Sequence, residues 1–224
     1  MSAAVVLVAG GQGTRLGAAQ PKAFVDLDGT SLLEHAVTRA LGVPEVSHVV
    51  IVAPVSHLRE AGAIASRSSR PQDVEVVRGG AERTDSVAAG MRALRPDDGI
   101  VLVHDAARCL APSSLFSRLV HEVRSGHPAV VPGLPVTDTI KQVDDDGVVV
   151  ATPDRSRLRA VQTPQAFLRE VLEHAHASGA HATDDAALVE AVGGHVRVVE
   201  GHRLAFKVTT PDDLATARRH LDDA

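Results

Sequence analysis

The sequence predicts an α/β fold, a mostly parallel twisted sheet with helices on both faces, from which a β-hairpin arm protrudes. Between residues 3 and 131, short β-branched runs alternate with longer segments whose apolar residues recur at helical spacing. Such alternation is typical of Rossmann-like proteins, in which helices cover a parallel sheet. Beyond Pro135 the alternation stops, and two short extended segments flank Asp146-Gly147, which is a strong signal for a hairpin.

The strands of the parallel sheet are predicted from five mainly apolar runs that are bounded by proline, glycine or polar residues. They are residues 3–8, 49–53, 74–77, 100–103 and 129–131. The first helix is predicted to begin after Ser31, because Glu34 follows at the spacing of a capping box. Its apolar face consists of Leu32, Leu33, Ala36, Val37, Ala40 and Leu41. The helices that follow are predicted at residues 57–66, 82–94 and 113–125.

After the hairpin, with strands predicted at residues 137–143 and 148–152, the helical patterns return. Thr163-Pro164 and Thr210-Pro211 each place a capping residue before a proline, which predicts the start of a helix. The predicted segments are a helix from Thr163 to about Ser178, a helix at 183–192, strands at 195–199 and 205–208, and a last helix from Thr210. We expect a single domain over residues 1–224, with the arm at about 135–155.

Composition favours a small-molecule partner. The net charge of −5 and the pI near 6.2 give no support for binding nucleic acid, and four Phe with no Trp or Tyr make a stacking platform for single strands unexpected. The single cysteine, Cys109, excludes an internal disulfide and fits a reducing compartment. Residues 3–8 lack a preceding basic region and are too few to span a membrane, so we expect a cytoplasmic protein without membrane contact.

The loop at residues 9–22 carries the first chemical signal. Gly10, Gly11 and Gly13 allow backbone N–H groups to approach a ligand, while Arg15 and Lys22 supply the cations that bind phosphate. The loop lacks the Gly-Lys-Ser/Thr of a P-loop and the third glycine of a dinucleotide fingerprint. It resembles the signature loop of nucleotidyltransferases that join a sugar or alcohol phosphate to a nucleoside triphosphate. The alternative is a glycine turn with solvated cations.

Four further stretches extend this resemblance over nearly the whole chain. They are residues 79–87 (GGAERTDSV), 104–108 (HDAAR), 135–141 (PVTDTIK), and 163–165 (TPQ) together with 206–209 (FKVT). In this order they resemble the 2-C-methyl-D-erythritol 4-phosphate cytidylyltransferases of isoprenoid-precursor synthesis. The resemblance implies transfer of a cytidylyl group from CTP to methylerythritol phosphate. The alternatives are a ribitol 5-phosphate cytidylyltransferase or another sugar-phosphate nucleotidyltransferase, and, from a different class, a nucleotide-binding regulator without catalysis.

The resemblance also implies a nucleotide site at the carboxyl ends of the strands, where ligands of parallel sheets bind. The residues implied to bind CTP are Ala9, Gly10, Gly11, Gly13, Gly80, Ala81, Ser86, Asp105 and Ala106. Cytosine would be recognised by the 79–87 segment with the backbone of residues 9–11, and Asp105 would lie at the triphosphate and its Mg²⁺. Taken alone, an aspartate at the end of a strand is more often a helix cap or a turn residue.

The catalytic cations implied by the resemblance are Arg15, Lys22, Arg155 and Lys207. Thr139, Arg155 and Lys207 would hold the phosphate of the second substrate, and the family implies that Thr139 and Arg155 come from the neighbouring subunit of a homodimer through the hairpin arm. For Arg155 and Lys207 the alternative is ordinary surface charge. The sequence departs from the family at Cys109, where proline is usual, and at Ala23, where glutamine is usual.

Overall fold

The computed structural model describes residues 1–180 and 182–222. The strands are β1 (Ser2–Val8), β2 (Asp26–Leu27), β3 (Thr30–Ser31), β4 (Val46–Ala53), β5 (Val74–Arg78), β6 (Asp98–Asp105), β7 (Ala129–Pro135), β8 (Gln142–Val143), β9 (Val149–Ala151), β10 (Arg159–Val161), β11 (Gln165–Leu168) and β12 (Arg197–Glu200). The helices are α1 (Leu32–Leu41), α2 (Leu58–Arg67), α3 (Arg83–Arg92), α4 (Ser113–Arg124), α5 (Arg169–Ala177), α6 (Asp185–Ala191) and α7 (Pro211–Asp222).

The main sheet is mixed but mostly parallel, which confirms the predicted fold class. Its strand order is β10-β7-β11-β6-β1-β4-β5, and β12 also pairs with β7. The pairs among β1, β4, β5 and β6 are parallel, as is the pair of β12 with β7. Only β10 and β11 run antiparallel to their neighbours in the part of the sheet that the structure describes. The carboxyl ends of β1, β4, β5 and β6 therefore lie at one edge of the sheet.

Helices cover both faces of the sheet because side chains alternate along each strand. In β1, Val5 and Leu7 belong to one apolar cluster, while Ala4 and Val6 belong to another. The first cluster includes the buried faces of α1 and α4, and Phe116 of α4 is fully buried in it. The second cluster includes Val87 and Met91 of α3, Leu172 and Ala175 of α5, and Leu188 and Val189 of α6. The strands are thus fixed between two cores.

The prediction that Thr163-Pro164 begins a helix is wrong. Gln165–Leu168 is instead β11, which lies between β6 and β7, and α5 begins only at Arg169. The Thr163 hydroxyl does not cap a helix, because it accepts a hydrogen bond from the Asp105 N–H at 3.0 Å and contacts the His104 ring at 2.9 Å. Phe167 is fully buried in the second core, so tertiary pairing outweighs the local capping signal.

The predicted strand at residues 205–208 is also absent from the described part of the chain. A 3₁₀ turn covers Arg203–Ala205, and the Val208 N–H donates to the Ala107 carbonyl at 2.8 Å. Ala205 and Val208 are nevertheless buried, which explains their apolar character without a strand. Conversely, β10 was not predicted, because its exposed Arg-Ala-Val sequence carries no buried apolar run.

The hairpin predicted near Asp146-Gly147 forms between β8 and β9, which pair antiparallel. Its turn is held by the Asp144 carboxylate, which accepts hydrogen bonds from the N–H groups of Asp146 and Val148 at 3.1 and 2.8 Å. The strands are shorter than the sequence predicts, and Val149 and Val150 are more than half exposed. Within residues 1–180 and 182–222, no helix has the length and apolar character that crossing a membrane requires.

Candidate active site

A cleft of about 340 Å³ opens at the carboxyl edge of the sheet. It is bounded by the loop that follows β1, the start of α3, the end of β6 and the segment at Lys207. The residues that line it are Val8, Ala9, Gly10, Gly11, Gln12, Gly13, Thr14, Arg15, Lys22, Ala23, Gly80, Ala81, Glu82, Arg83, Ser86, Asp105, Ala107, Lys207 and Thr209. Groups that are far apart in the sequence thus face a single space.

The glycine loop folds back on itself so that Lys22 joins this cleft. The Lys22 N–H donates to the Gly11 carbonyl at 2.9 Å, and Gly13 has a φ of +72°, in the left-handed region that favours glycine. A Cβ at position 13 would also lie only 3.2 Å from the backbone nitrogen of Lys22. Gly13 is therefore required for the close approach that brings Arg15 and Lys22 to the same side of the loop.

The Lys22 ammonium lies in an environment that disfavours its charge. Its residue is only 8% exposed, and burial is the main reason that the pKa of Lys22 is lowered to about 8. The positive charges of Lys207 and Arg15 lower this pKa further, whereas the Asp105 carboxylate raises it. Cations are thus concentrated in the cleft, as binding of a polyphosphate would require.

Asp105 stands at the centre of the charged groups. Its Oδ2 lies 2.8 Å from the Lys207 ammonium, and its Oδ1 lies 3.5 Å from Nε of Arg83. Burial acts to raise the pKa of the Asp105 carboxyl, but the charges of Lys207, Arg83 and Arg108 outweigh it and hold the pKa well below its usual range. Asp105 is therefore ionised throughout the physiological range.

The segment after β5 is fixed by local hydrogen bonds. The Ser86 hydroxyl accepts from the Gly80 N–H at 3.2 Å and donates to the Glu82 carbonyl at 3.1 Å. The Asp85 carboxylate accepts from the Glu82 N–H and completes a capping box at the start of α3. A Cβ on Gly80 would collide with the Asp85 side chain. Ser86 thus borders the cleft while holding the backbone of this segment in place.

Nearly the whole chain matches one protein family. The model of a family described as IspD, 2-C-methyl-D-erythritol 4-phosphate cytidylyltransferase, matches residues 3–223. The chain belongs to this family. A 2-C-methyl-D-erythritol 4-phosphate cytidylyltransferase from Rhodococcus jostii is 52% identical over 96% of this chain and 93% of the relative, and one from Nocardia farcinica is 50% identical over 99% and 94%.

Solved structures agree with the IspD assignment. The 4-diphosphocytidyl-2C-methyl-D-erythritol synthase of Anaerococcus prevotii has a TM-score of 0.86 at 27% identity, and covers 99% of this chain and 98% of its own. The 2-C-methyl-D-erythritol 4-phosphate cytidylyltransferase of Thermus thermophilus has a TM-score of 0.76 at 32% identity, with coverage of 99% and 100%. The predicted family, the enzyme class and cytidylyl transfer in isoprenoid synthesis are confirmed.

Within this IspD chain, most residues implied by the motifs converge. Those that line the cleft are Ala9, Gly10, Gly11, Gly13, Arg15, Lys22, Gly80, Ala81, Ser86, Asp105 and Lys207. Ala106 is buried beside it, and its neighbour Ala107 lines the cleft instead. Thr139 and Arg155 do not line the cleft of their own chain, and Arg155 donates to the Thr137 carbonyl at 2.7 Å.

Two charged residues that line the cleft, Glu82 and Arg83, were not singled out from the sequence, and Arg83 is the cation of the two. Arg83 is the first residue of α3, and its side chain reaches Asp105. It belongs to the same sequence motif as Gly80 and Ser86, which were singled out. An arginine three residues beyond two glycines could have been recognised as a phosphate or carboxylate partner, but Arg78, directly before these glycines, carries the same signal. What the sequence does not show is that the carboxyl ends of β5 and β6 bring Arg83 to Asp105.

Proposed function

We propose that this cleft itself joins the two substrates, CTP and methylerythritol phosphate. A phosphate oxygen of the alcohol phosphate forms a bond to the α-phosphorus of CTP. The bond from that phosphorus to the bridging oxygen breaks, and pyrophosphate leaves with the electron pair. The attacking phosphate is already an anion at neutral pH, so the reaction needs no general base. The convergence of Arg15, Lys22 and Lys207 on one cleft is the observation that carries the proposal.

Charge repulsion is the barrier that this arrangement lowers. Both reactants are anions, and negative charge increases on the equatorial oxygens of the α-phosphorus as the new bond forms. We assign Arg15 and Lys22 to that charge, and Lys207 to orienting the attacking phosphate. By analogy with oxyanion donors, Lys22→Ala should lower kcat by about 10²-fold or more. A variant with near-normal kcat would remove Lys22 from this role.

Asp105 fits the Mg²⁺ that the family implies. Magnesium sites of nucleotide enzymes use one or two carboxylates together with substrate phosphates, and Asp105 offers an ionised carboxylate that is 14% exposed at the cleft. No group of three or more His, Cys, Asp or Glu forms in residues 1–180 and 182–222, so most ligands would come from the nucleotide. When bound, the ion neutralises charge on the triphosphate. Asp105 would hold it, and Lys207 would then turn toward the alcohol phosphate.

We further propose that Thr139 and Arg155 act in the cleft of a second subunit. Neither residue lines the cleft of its own chain, and both flank the hairpin, where Val148, Val149 and Val150 are 52–60% exposed. Exposed valines on a two-stranded ribbon favour packing against a partner. The proposed assembly is a homodimer. The reducing environment that suits the single Cys109 supports a cytoplasmic location.

Mixing two inactive variants tests the shared site. If Arg155 serves the partner cleft, a dimer of one Lys22→Ala chain and one Arg155→Ala chain contains one intact cleft. After denaturation and refolding together, the mixture should recover about a quarter of wild-type activity, because half of randomly formed dimers are mixed and each has one working site. A mixture that stays inactive would show that Arg155 serves its own chain.

Substrate choice is tested by pyrophosphate release with CTP, Mg²⁺ and either methylerythritol phosphate or ribitol 5-phosphate. We expect turnover with methylerythritol phosphate at a kcat/KM at least about tenfold higher than with ribitol 5-phosphate. A reversed preference would identify a ribitol phosphate enzyme. CTP binding without any pyrophosphate release would indicate a regulator that does not catalyse the transfer.

A further inference from the structure

A second aspartate lies behind the cleft and does not line it. Asp185 is the first residue of α6, and its side chain is 0% exposed. Its Oδ2 accepts a hydrogen bond from Nη1 of Arg83 at 2.7 Å, and its Oδ1 lies 3.0 Å from Nε2 of His176. Because a carboxylate can only accept, this histidine nitrogen carries the proton. Both oxygens of Asp185 are thus occupied by donors.

Arg83 connects this buried carboxylate to the one in the cleft. Its Nη1 is held by Asp185, while its Nε faces Oδ1 of Asp105 at 3.5 Å. The guanidinium group is planar and rigid, so anchoring one nitrogen fixes the direction of the others. Arg83 consequently reaches Asp105 through a single N–H. The other oxygen of Asp105 stays directed at Lys207.

The location of α6 relative to the sheet is set independently of this ion pair. The buried Gln165 of β11 donates to the Asp184 carboxylate at 2.7 Å and accepts from the Ala186 N–H at 3.2 Å. Asp184 also caps α6 by accepting from the Ala187 N–H at 3.0 Å. Leu188 and Val189 pack into the second core. The helix therefore has its own anchors, and the charge of Asp185 is not needed to hold it.

Burying a carboxylate costs free energy of desolvation. A neutral side chain could accept the same hydrogen bonds at a lower cost, so a purely structural role would not call for a charged residue here. We propose that Asp185 is a positioning residue for cytidylyl transfer: it restrains Arg83 so that Asp105 keeps one oxygen available for Lys207 and for the metal-bound nucleotide. This inference rests on the proposed function of Asp105. Asp185 touches neither substrate and acts only through Arg83.

Removing the charge of Asp185 releases Arg83. In Asp185→Asn the amide keeps the size of the side chain, but Asp105 is then the remaining carboxylate partner of Arg83. A guanidinium group pairs most strongly with a carboxylate through two parallel hydrogen bonds. Arg83 would turn both donors to Asp105 and engage the oxygen that the nucleotide complex needs. Disturbing a group that directly contacts a metal ligand, as Arg83 contacts Asp105, typically lowers metal affinity or activity by about 10–100-fold.

The test compares Asp185→Asn with a matched control, Asp98→Asn. Asp98 is also a buried carboxylate, is 1% exposed and has a histidine partner, His48, at 3.1 Å, but it lies at the opposite end of β6 from Asp105. We expect Asp185→Asn to lower kcat and the affinity for Mn²⁺–CTP, measured by calorimetry, each by about tenfold or more. We expect Asp98→Asn to change thermal stability without changing either quantity.

The Arg83→Lys variant tests whether Asp185 acts through Arg83. An ammonium group cannot bridge the two carboxylates as a guanidinium does, so adding Asp185→Asn to this background should lower kcat by less than about twofold. The Nε–H resonance of Arg83, assigned by its loss in Arg83→Lys, should shift in Asp185→Asn and stay unchanged in Asp98→Asn. This spectrum needs no substrate, so it tests the positioning even if methylerythritol phosphate proves not to be the acceptor.

Three outcomes would overturn the inference. Wild-type kcat and Mn²⁺–CTP affinity in Asp185→Asn would show that Arg83 needs no restraint. Losses that only follow the folded fraction, as in a merely structural variant, would assign Asp185 to stability. Fully additive effects of Asp185→Asn and Arg83→Lys would show that the two residues act independently.

Discussion

The lowered pKa of Lys22 predicts that the free enzyme loses activity at mildly alkaline pH. On the proposed mechanism the transition state needs the charged ammonium, and the pKa of Lys22 in the free cleft is about 8. The charged fraction of such a group falls from about 0.9 at about pH 7 to about 0.1 at about pH 9. The pH dependence of kcat/KM reflects the pKa values of groups in the free enzyme, so kcat/KM for CTP should fall about tenfold over this interval.

Neither tyrosine nor cysteine accounts for a titration in this pH window. The chain contains no tyrosine, and burial raises the pKa of the Cys109 thiol to about 12. In the bound complex the triphosphate stabilises the ammonium, so kcat at saturating CTP should stay nearly constant over the same interval. The two profiles therefore separate titration of the free cleft from titration of the complex.

Initial rates of pyrophosphate release, measured at low and at saturating CTP from about pH 7 to about pH 9, test this prediction. Lys22→Arg is the control, because a guanidinium stays charged over the whole range. Its kcat/KM profile should be flat even if its absolute value is lower. An equally steep fall in Lys22→Arg, or a flat profile in the wild type, would refute the assignment of the pH effect to Lys22.

Three further predictions concern the charges and the packing around the site. Lys207→Gln should move the pKa of Lys22 upward and Asp105→Asn should move it downward, measured by NMR titration of the lysine, because these two charges act on it in opposite directions. Gly90→Ala should lower the free energy of unfolding in urea by about 1–3 kcal/mol, since its Cβ would collide with two valines of the sheet. Phe116→Ala should cost about 3–5 kcal/mol in the same assay, because this ring is fully buried in the first core.

The parallel sheet was predictable because each of its strands is locally encoded. Residues 3–8 and 100–103 are apolar runs, followed by Ala9-Gly10 and by His104-Asp105, and both become central strands. The glycine loop and the HDAAR segment then had to lie at the carboxyl edge, since parallel strands share one direction. Most of the residues that line the cleft could therefore be inferred before any coordinates.

The parts that could not be predicted depend on contacts between distant segments. Thr163 has the local signature of a helix cap, but its hydroxyl is used by Asp105 and His104. β11 forms a strand because it pairs with β6 on one side and with β7 on the other. In the same way, the link from Asp105 through Arg83 to Asp185 joins residues that are 22 and 102 positions apart. Hydrophobic periodicity in the sequence does not predict ion pairs between residues so far apart.

The role of Asp105 follows from the balance of charge in the cleft. Three cations border the same cleft, namely Arg15, Lys22 and Lys207. They repel each other, and for this reason the charges of Lys207 and Arg15 both lower the pKa of Lys22. A carboxylate among them offsets part of this repulsion while the cleft is free, and its contact with Lys207, at 2.8 Å, is shorter than its contact with Arg83, at 3.5 Å. When a triphosphate enters, it takes over that neutralising role. On the proposed mechanism, Asp105 would then hold Mg²⁺ while Lys207 turns to the alcohol phosphate. The ion pair that stabilises the free cleft would thus keep both groups in place for the reaction.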